Sequence, residues 1–535
     1  MFRVLTPLLA ALRHSLSVQF RSASENGVAD IPQGLHTEAA VADGEARFEK
    51  SSRSPGGNAF FAVSIDLWLA LMLAGTLLAW QLFVPPIVGL ADQGDFVRLL
   101  GPLGYAPVPK GPEHKYWYVT RKYVEDPTYR QPRWEQRTSE LIPARIGIAL
   151  NSLFGNSKTF DITVFGFTHA VFFLLALGRL LLVTRELAVH RIVWALMLLV
   201  LTDVGYVAYW NSLYTEPASC VWFLFFLAES INLCNHREIS LGASLRWSVF
   251  AVLLITAKAQ NAALFVPLAA YGLGTLWRAA DRKARCAAAV GVITICAAGV
   301  TMYRSVMPAT RVTALYNVIF FAILPASPNP RADLKALGLN PEYARYSGTV
   351  AWSPGTGVAD GNLVNAIEAD VSSFKLMAFY LKRPGRMWQR MAALLPAALS
   401  LRPEFCGNFD RSAGRPPGAR SYAIALWSGI HERVLAWIAP FLLAALGLVV
   451  GGGLVLIKRS SVAAPRRWGG LGICLAACCL TAFFVAAFGD AWDNVKHQFL
   501  FNLLLDTCMV FGFAAALGGV CRFCRGSIGA RAGLH

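Results

Sequence analysis

Apolar runs close to the length of a bilayer-crossing helix recur along the chain, at 61–88, 161–183, 192–210, 216–234, 247–257 with 260–277, 286–306, 433–457, 468–488 and 498–520. Nothing else in the sequence constrains the fold as strongly, because ~20 apolar residues cross the hydrocarbon core as a helix, in which every backbone polar group is satisfied internally. Only 15% of the 535 residues are charged, against 55% hydrophobic, whereas a soluble domain carries about a quarter charged. The expected fold class is all-α, a polytopic transmembrane helical bundle. A secreted or cytosolic enzyme is excluded by this composition. The net charge of +17 belongs first to loops flanking membrane helices, so no nucleic-acid partner is expected.

Short basic loops orient such a bundle, since Lys and Arg concentrate on the cytoplasmic side. Arg179 with Arg185 and Arg191, His236/Arg237/Arg246, Arg278/Arg282/Lys283/Arg285, Lys458/Arg459/Arg466/Arg467 and Arg522/Arg525 all read as cytoplasmic. The apolar stretch from Trp247 to Trp277 then leaves and returns to one side, which makes it a hairpin of two short helices with KAQN (Lys258 to Asn261) at its outer tip. About ten spans follow, with both termini cytoplasmic and the protein in the cytoplasmic (inner) membrane. Residues 1–59 read as a disordered cytoplasmic extension whose start neither spans nor shows a signal-peptide cleavage pattern. A transmembrane module at 60–306 contains the first outer segment, 91–160. A second outer segment follows at 307–430, then C-terminal spans at 431–520 and a cytoplasmic tail at 521–535. The pieces Val312 to Ala326 and Met391 to Leu401 are too short to cross and suit interfacial amphipathic helices. Most of the 11 Cys lie in apolar runs as small apolar residues, and the CxxC of Cys521 and Cys524 supplies two of the four ligands a structural zinc needs.

This topology gathers the unusual polar residues at one membrane face: ADQGDF (Ala91 to Phe96), NSLYTEP (Asn211 to Pro217), KAQN, and GDAWDNVKH (Gly489 to His497). Asp92 and Asp95, three apart, can face one way on a helical turn and act as a general base or hold a divalent cation. Equally, they can cap the helix that begins at Phe96. Glu216 suits a helix N-terminus beside Pro217, or can hydrogen-bond sugar hydroxyls or assist Asp95. Lys258 and Asn261 interrupt an apolar hairpin, where a lysine needs a carboxylate, water or a phosphate. Lys496 and His497 either pair locally with Asp493 or hold a phosphate leaving group. Between the cations Lys115, Arg121, Lys122, Arg130, Arg133 and Arg137 stand Tyr116, Trp117, Tyr118, Tyr123, Tyr129 and Trp134, an interfacial belt or a sugar-stacking surface. Asp66, Asp203, Glu229 and Asp506 fall in four different spans and can mark an ion path.

The GDF followed by Arg98, YTEP (Tyr214 to Pro217), LPASPNPRADLKALGLNPEYARYSG (Leu324 to Gly348) and KHQFLFN (Lys496 to Asn502) resemble the GT-C superfamily of membrane glycosyltransferases, and within it bacterial hexosyltransferases of surface-glycan assembly. The resemblance covers most of residues 60–520. It implies transfer of a sugar from a polyprenyl-phosphate-linked donor to a glycan or lipid acceptor at the outer face. Its implied roles are Asp95 as base, Asp92 as second carboxylate or metal ligand, and Glu216 as acceptor contact. Lys258, Lys496 and His497 would meet the phosphate, with Arg98, Asn211, Asn261 and Asp493 completing the substrate contacts. No cofactor is required, and a divalent cation, Mg or Mn, is compatible. A transporter or flippase of lipid-linked glycan is the rival from another class, and it predicts paired broken helices in two halves. A lipid-linked polysaccharide polymerase or ligase is a nearer rival.

Overall fold

The computed structural model describes residues 65–108, 116–129, 137–154, 158–460 and 463–532. The extension at 1–59 lies outside them, as do Lys115, Arg130, Arg133, Trp134 and the side chains of Cys521 and Cys524. Helix α1 (Ile65–Phe83) buries Leu67, Ala70, Ala74, Leu78 and Leu82, a three-to-four spacing that lays one stripe against the bundle. After it, the Ala91 to Phe96 turn leads into α2 (Val97–Leu103), which ends at Gly104 in the left-handed conformation, its N–H bonded to Leu100 O and Gly101 O.

Three short strands follow, β1 (Tyr105–Val108), β2 (Lys122–Glu125) and β3 (Thr159–Asp161), antiparallel in that order, with Tyr123 opposite Phe160. Strands of three and four residues are too brief to leave a period-two pattern, which is why an all-helical reading passed over them. Between β2 and β3, α3 (Leu141–Leu153) packs on α4 (Thr163–Thr184).

The run at 192–210 is not one helix. Helix α5 (His190–Leu201) stops, Asp203 caps a single turn, Val204–Val207, by accepting from Gly205 N at 2.7 Å, and the buried Gln81 of α1 donates to Thr202 O at 3.0 Å. These bonds satisfy the backbone groups that a helix end leaves open. Helix α6 (Glu216–Asn235) is buried on all sides. The hairpin forms as α7 (Leu241–Ala257), a 3-10 segment Ala259–Leu264, and α8 (Phe265–Leu276). Ile239 and Ala279 meet in a parallel bridge, Ile239 N to Arg278 O at 2.9 Å and Ala280 N to Ile239 O at 3.0 Å, so the stretch does return to the end it left. Helix α9 (Arg282–Arg304) covers both arms.

In the second long segment, α10 (Pro308–Tyr316) runs into a π-helical stretch, Asn317–Ile323, and α11 (Pro384–Ala398) buries Met391, Leu394, Leu395 and Ala398 while Trp388 stays exposed. Helix α12 (Ala436–Arg459), 24 residues, crosses α13 (Ala463–Gly489) at two glycines: a Cβ on Gly453 would stand 2.8 Å from Gly469 O, and the reverse is equally close. Glycine is what permits that backbone approach. The turn α14 (Asn494–His497) joins α13 to α15 (Phe499–Ala532), which continues past residue 520.

Among the described residues α1, α4, α6, α9, α13 and α15 are long and apolar enough to cross a membrane. The protein is a multi-pass, all-α membrane protein. The run at 192–210 is interrupted at Asp203, and the 247–277 stretch is divided at Lys258 into the two short helices of the hairpin.

The bundle has two chemically distinct ends. At one, Arg179 and Arg246 hold Glu229 at 2.7 and 3.1 Å, Arg467 Nε donates to Cys234 O, and Arg278 donates to His236 O. Along helix α6, Glu229 stands 13 residues and thus about 20 Å from Glu216 at the other end, and Cys234 and His236 lie farther still. At that other end the two long segments are stitched together: Gly89 N to Asn408 O, Ala91 N to Gly407 O, Gly407 N to Tyr116 O and Val119 N to Phe409 O, all 2.7–3.0 Å. They form one layer rather than two.

Candidate active site at one end of the bundle

Asp92 and Asp95 have different tasks. Asp92 Oδ1 accepts from Gly94 N at 2.6 Å and Phe96 N at 3.2 Å, an Asx-type cap that shapes the turn; Gly94, at φ 109°, supplies the positive φ. The Asp95 carboxylate is engaged by side chains instead. Its Oδ1 meets Arg98 at 2.9 Å, and its Oδ2 takes the ammonium of Lys496. Burial raises the Asp95 pKa, but Arg98 and Lys496 outweigh it and hold the carboxyl well below the usual carboxylate range.

Lys496 is shared. Its Nζ also lies 3.3 Å from Asp493 Oδ2 and 5.3 Å from the centre of the Tyr214 ring. Burial lowers its pKa, yet Asp95, Asp493 and Glu216 more than reverse this and raise it above the ordinary lysine value. Asp493 sits at φ +52°, a left-handed conformation that aspartate tolerates better than most residues. It aims one carboxylate oxygen at Gln93 and Lys496, while Oδ1 is buried without a hydrogen-bond partner. Gln93 N donates to Tyr214 OH, which donates to Ala91 O, at 3.0 and 2.8 Å, so the first turn, the YTEP loop and the last interhelical loop are locked together.

Beside them, Lys258 Nζ reaches Glu216 Oε1 at 2.7 Å, and His497 Nδ1 meets Gln260 Oε1 at 3.1 Å. A small cavity lies among Glu216, Ser219, Lys258, Gln260, His497 and Phe499. Asn261 is buried, donating to Ser219 Oγ and Leu254 O, both at 3.0 Å. Asn211 is also buried, and its amide donates to Leu82 O and Val88 O at 3.0 and 2.8 Å. It ties the chain leaving α1 and stands apart from the Asp95–Lys496 group.

The structure therefore brings Asp95, Arg98, Glu216, Lys258, Asp493, Lys496 and His497 to one end, with Asp92 shaping the turn below them. Sequence reasoning did not single out Gln93, Tyr214, Gln260 or Asp490. Each lies inside a polar tip already picked out, and that adjacency was the available signal. Asp490 accepts from Asn317 Nδ2 at 3.2 Å and lies 3.8 Å from His497. Among the described residues no three His, Cys, Asp or Glu side chains form a metal-ligand group. The other acids at depth are fully engaged: Asp66 by Arg191, Glu229 by two arginines, Asp203 by three backbone N–H groups, and Asp506 by His431, Tyr206 and Trp427.

Two solved structures from Archaeoglobus fulgidus are similar. One is the archaeal oligosaccharyltransferase AglB in complex with an inhibitory peptide and a dolichol-phosphate, at 11% identity and a TM-score of 0.38, over 87% of this chain and 52% of that one. The other is an oligosaccharyltransferase tethered to an acceptor peptide, at 13% identity and a TM-score of 0.35, over 86% and 51%. The chain thus spans about half the length of each. No curated protein matches it. The model of the YfdI N-terminal transmembrane domain matches residues 49–525. With nearly all of its length so matched, the chain belongs to the YfdI N-terminal transmembrane domain family, which is GT-C-like, the character its motifs resemble.

Proposed function

We propose that the protein is a hexosyltransferase that moves a sugar from a polyprenyl-phosphate-linked donor to a glycan or lipid acceptor, at the outer face of the cytoplasmic membrane. The observation that carries the reading is a single ammonium, Lys496, divided between Asp95 and Asp493 at the end where Arg98, Lys258 and His497 also converge. A carboxylate held beside cations and open to about a fifth of its side-chain surface suits a base that works next to a phosphate.

In the proposed reaction the acceptor hydroxyl oxygen attacks the anomeric carbon from the face opposite the phosphate. The bond from that carbon to the phosphate oxygen breaks, its electron pair leaves with the polyprenyl phosphate, and the hydroxyl proton passes to Asp95. The configuration inverts. The donor phosphate draws Lys496 and Arg98 away from Asp95, so donor binding itself frees the base, and the same two cations stabilise the leaving charge. Glu216 faces the acceptor, and Lys258 and His497, which border the same small cavity, stand toward the phosphate. A Mg or Mn ion would have to compete with Lys496 and Arg98 for Asp95, so these side chains take the neutralising role here, and transfer is expected to persist in chelator. Asp92 serves as the cap that aims Asp95.

The transporter reading gains one observation, the second interrupted run at Asp203. That carboxylate is consumed by Gly205 N, Trp427 N and Ser428 N, which makes it a helix-end device rather than a step in a path. The deciding experiment is mass spectrometry of surface glycans from a deletion strain complemented with wild type, Asp95→Asn or Asp92→Asn at matched expression. One sugar should be missing in the deletion and in Asp95→Asn and present with wild type. An unchanged glycan in the deletion returns the transporter reading. A reporter fused after Arg467 should read cytoplasmic.

A further inference from the structure

Three large aromatic side chains stand exposed beside the candidate site: Trp352, Trp492 and Phe321, at 53%, 38% and 36% of their full accessibility. Trp492 is the hub, edge-to-face with Trp352 at 5.7 Å and with Phe321 at 5.5 Å. Edge-to-face contact leaves ring faces open. These residues come from three separate parts of the chain, and a buried amide holds them in register. Asn317 Oδ1 accepts from Ala351 N at 2.9 Å, and its Nδ2 donates to Asp490 Oδ1 at 3.2 Å, while Asp490 Oδ1 also accepts from Trp492 N at 3.0 Å. One side chain, fully buried, thus clamps the loop bearing Trp352 to the loop bearing Trp492, and Phe321 rides on the π-helical stretch that begins at Asn317.

Exposed rings at the end of a membrane bundle meet either headgroups or a ligand, and a ligand face is favoured here because buried polar bonds fix the rings in register beside carboxylates. Trp492 lies between Asp490 and Asp493 in sequence, and Asp493 shares Lys496 with Asp95, so the central ring and the site are carried by one loop. We infer that Trp352, Trp492 and Phe321 form an acceptor subsite, a platform on which a pyranose of an acceptor saccharide stacks next to the Asp493–Lys496 edge. The chemistry matches: a pyranose has an apolar C–H face for an aromatic ring, and the polar groups fixed beside the rings, the Asp490 carboxylate and the His497 imidazole, bond hydroxyls. This inference rests on the transferase reading and adds to it where the acceptor, as distinct from the donor, is held.

The test uses the full chain in lipid nanodiscs. The probe is polysaccharide released from the surface of the deletion strain, followed by equilibrium dialysis. Wild type should bind, with Trp352→Ala and Trp492→Ala each weakening binding at least 10-fold. Trp352→Phe and Trp492→Phe, which keep a ring, should stay within a few-fold of wild type, and so should Trp68→Ala, an exposed tryptophan on α1. Alanine variants that bind as tightly as wild type overturn the platform and leave the transferase standing. The platform is also overturned if those variants bind normally but reconstitute poorly into nanodiscs, the behaviour of interfacial anchors. Absence of binding by wild type itself overturns the platform, and when it is joined by an unchanged glycan in the deletion strain it overturns the transferase reading as well.

Discussion

The two ends of the bundle both bury carboxylates among cations, yet they use them differently. At the basic end Glu229 has one arginine on each oxygen, and within the bundle Asp506 has His431 on one oxygen and Tyr206 with Trp427 on the other. Each oxygen of these two carboxylates has its own fixed donor. At the other end Lys496 serves two carboxylates at once, and Asp493 Oδ1 and Arg98 Nε are buried without partners. A satisfied network is a structural fastener, whereas a network with shared and missing partners stores a cost that a ligand can relieve. The comparison teaches that burial of charge alone does not mark a site in this protein. A buried carboxylate oxygen without a donor does, as on Asp493, whereas unpartnered guanidinium nitrogens occur at both ends, on Arg98 and on Arg278.

The sharpest break of that comparison is between Asp95 and Asp506. Asp95→Asn should lower transfer by roughly 10²–10⁴-fold, the range for loss of a general base, with the protein still present in membranes at normal level. Asp506→Asn should do the opposite. It strips a buried carboxylate from three donors, and breaking such a partnership costs about 3–5 kcal/mol, read as a lowered thermal-unfolding midpoint and a depleted membrane fraction. If Asp95→Asn instead lost protein and Asp506→Asn lost only transfer, the two ends would have to exchange roles.

The pH dependence sharpens the contrast. Asp95 has a depressed folded pKa, so its stabilising contribution is present above the ordinary value of about 3.9 and is lost as pH falls through the lower folded value. Lys496 is raised, so its contribution is present below about 10.4 and is lost as pH rises through the higher folded value. The pair is therefore intact throughout the neutral range. In wild type the acid limb of kcat/KM, which reports the free enzyme, should lie well below pH 4. Lys496→Met removes one of the two cations holding Asp95 down, so its acid limb should move up toward the ordinary carboxylate range, whereas Lys496→Arg should keep it low. A limb that stays put in Lys496→Met would show that the pairing does not set the state of Asp95.

Much of this was legible before any coordinates. Asp95, Glu216, Lys258, Lys496 and His497 announced themselves because each interrupts or abuts an apolar run, and the return of the 247–277 hairpin followed from basic loops at both its ends. Their pairings were not legible. Lys496 and Asp95 lie 401 positions apart, and Lys258 and Glu216 lie 42 apart; no local periodicity encodes which cation meets which acid. Nor could an amide's direction be read, so Asn211 was expected among the substrate contacts, although its amide turns inward to hold Leu82 and Val88. The aromatic platform was missed for the same reason. Trp352 sits in a polar stretch with nothing nearby to single it out, and its neighbour Trp492 is supplied from the far end of the chain.

The smallest effect is the one that guards the comparison. Asp66 stands at the start of α1 and meets Arg191 at 2.8 Å, with side chains 42% and 54% exposed. Of the acids first grouped as a possible ion path, it has the most open pair. Water or headgroups can solvate both partners, so the pair contributes ~0–1 kcal/mol at most, and less in salt. Asp66→Asn should leave the unfolding midpoint within error of wild type, and the surface glycan should remain complete at high and low ionic strength. An ion path through the bundle predicts otherwise, because its entrance carboxylate could not be neutralised without loss of function. A missing sugar in Asp66→Asn, with normal amounts of protein, would therefore show that an exposed, satisfied pair can be functional in this protein, and a carboxylate oxygen without a donor would no longer distinguish its site from its fasteners.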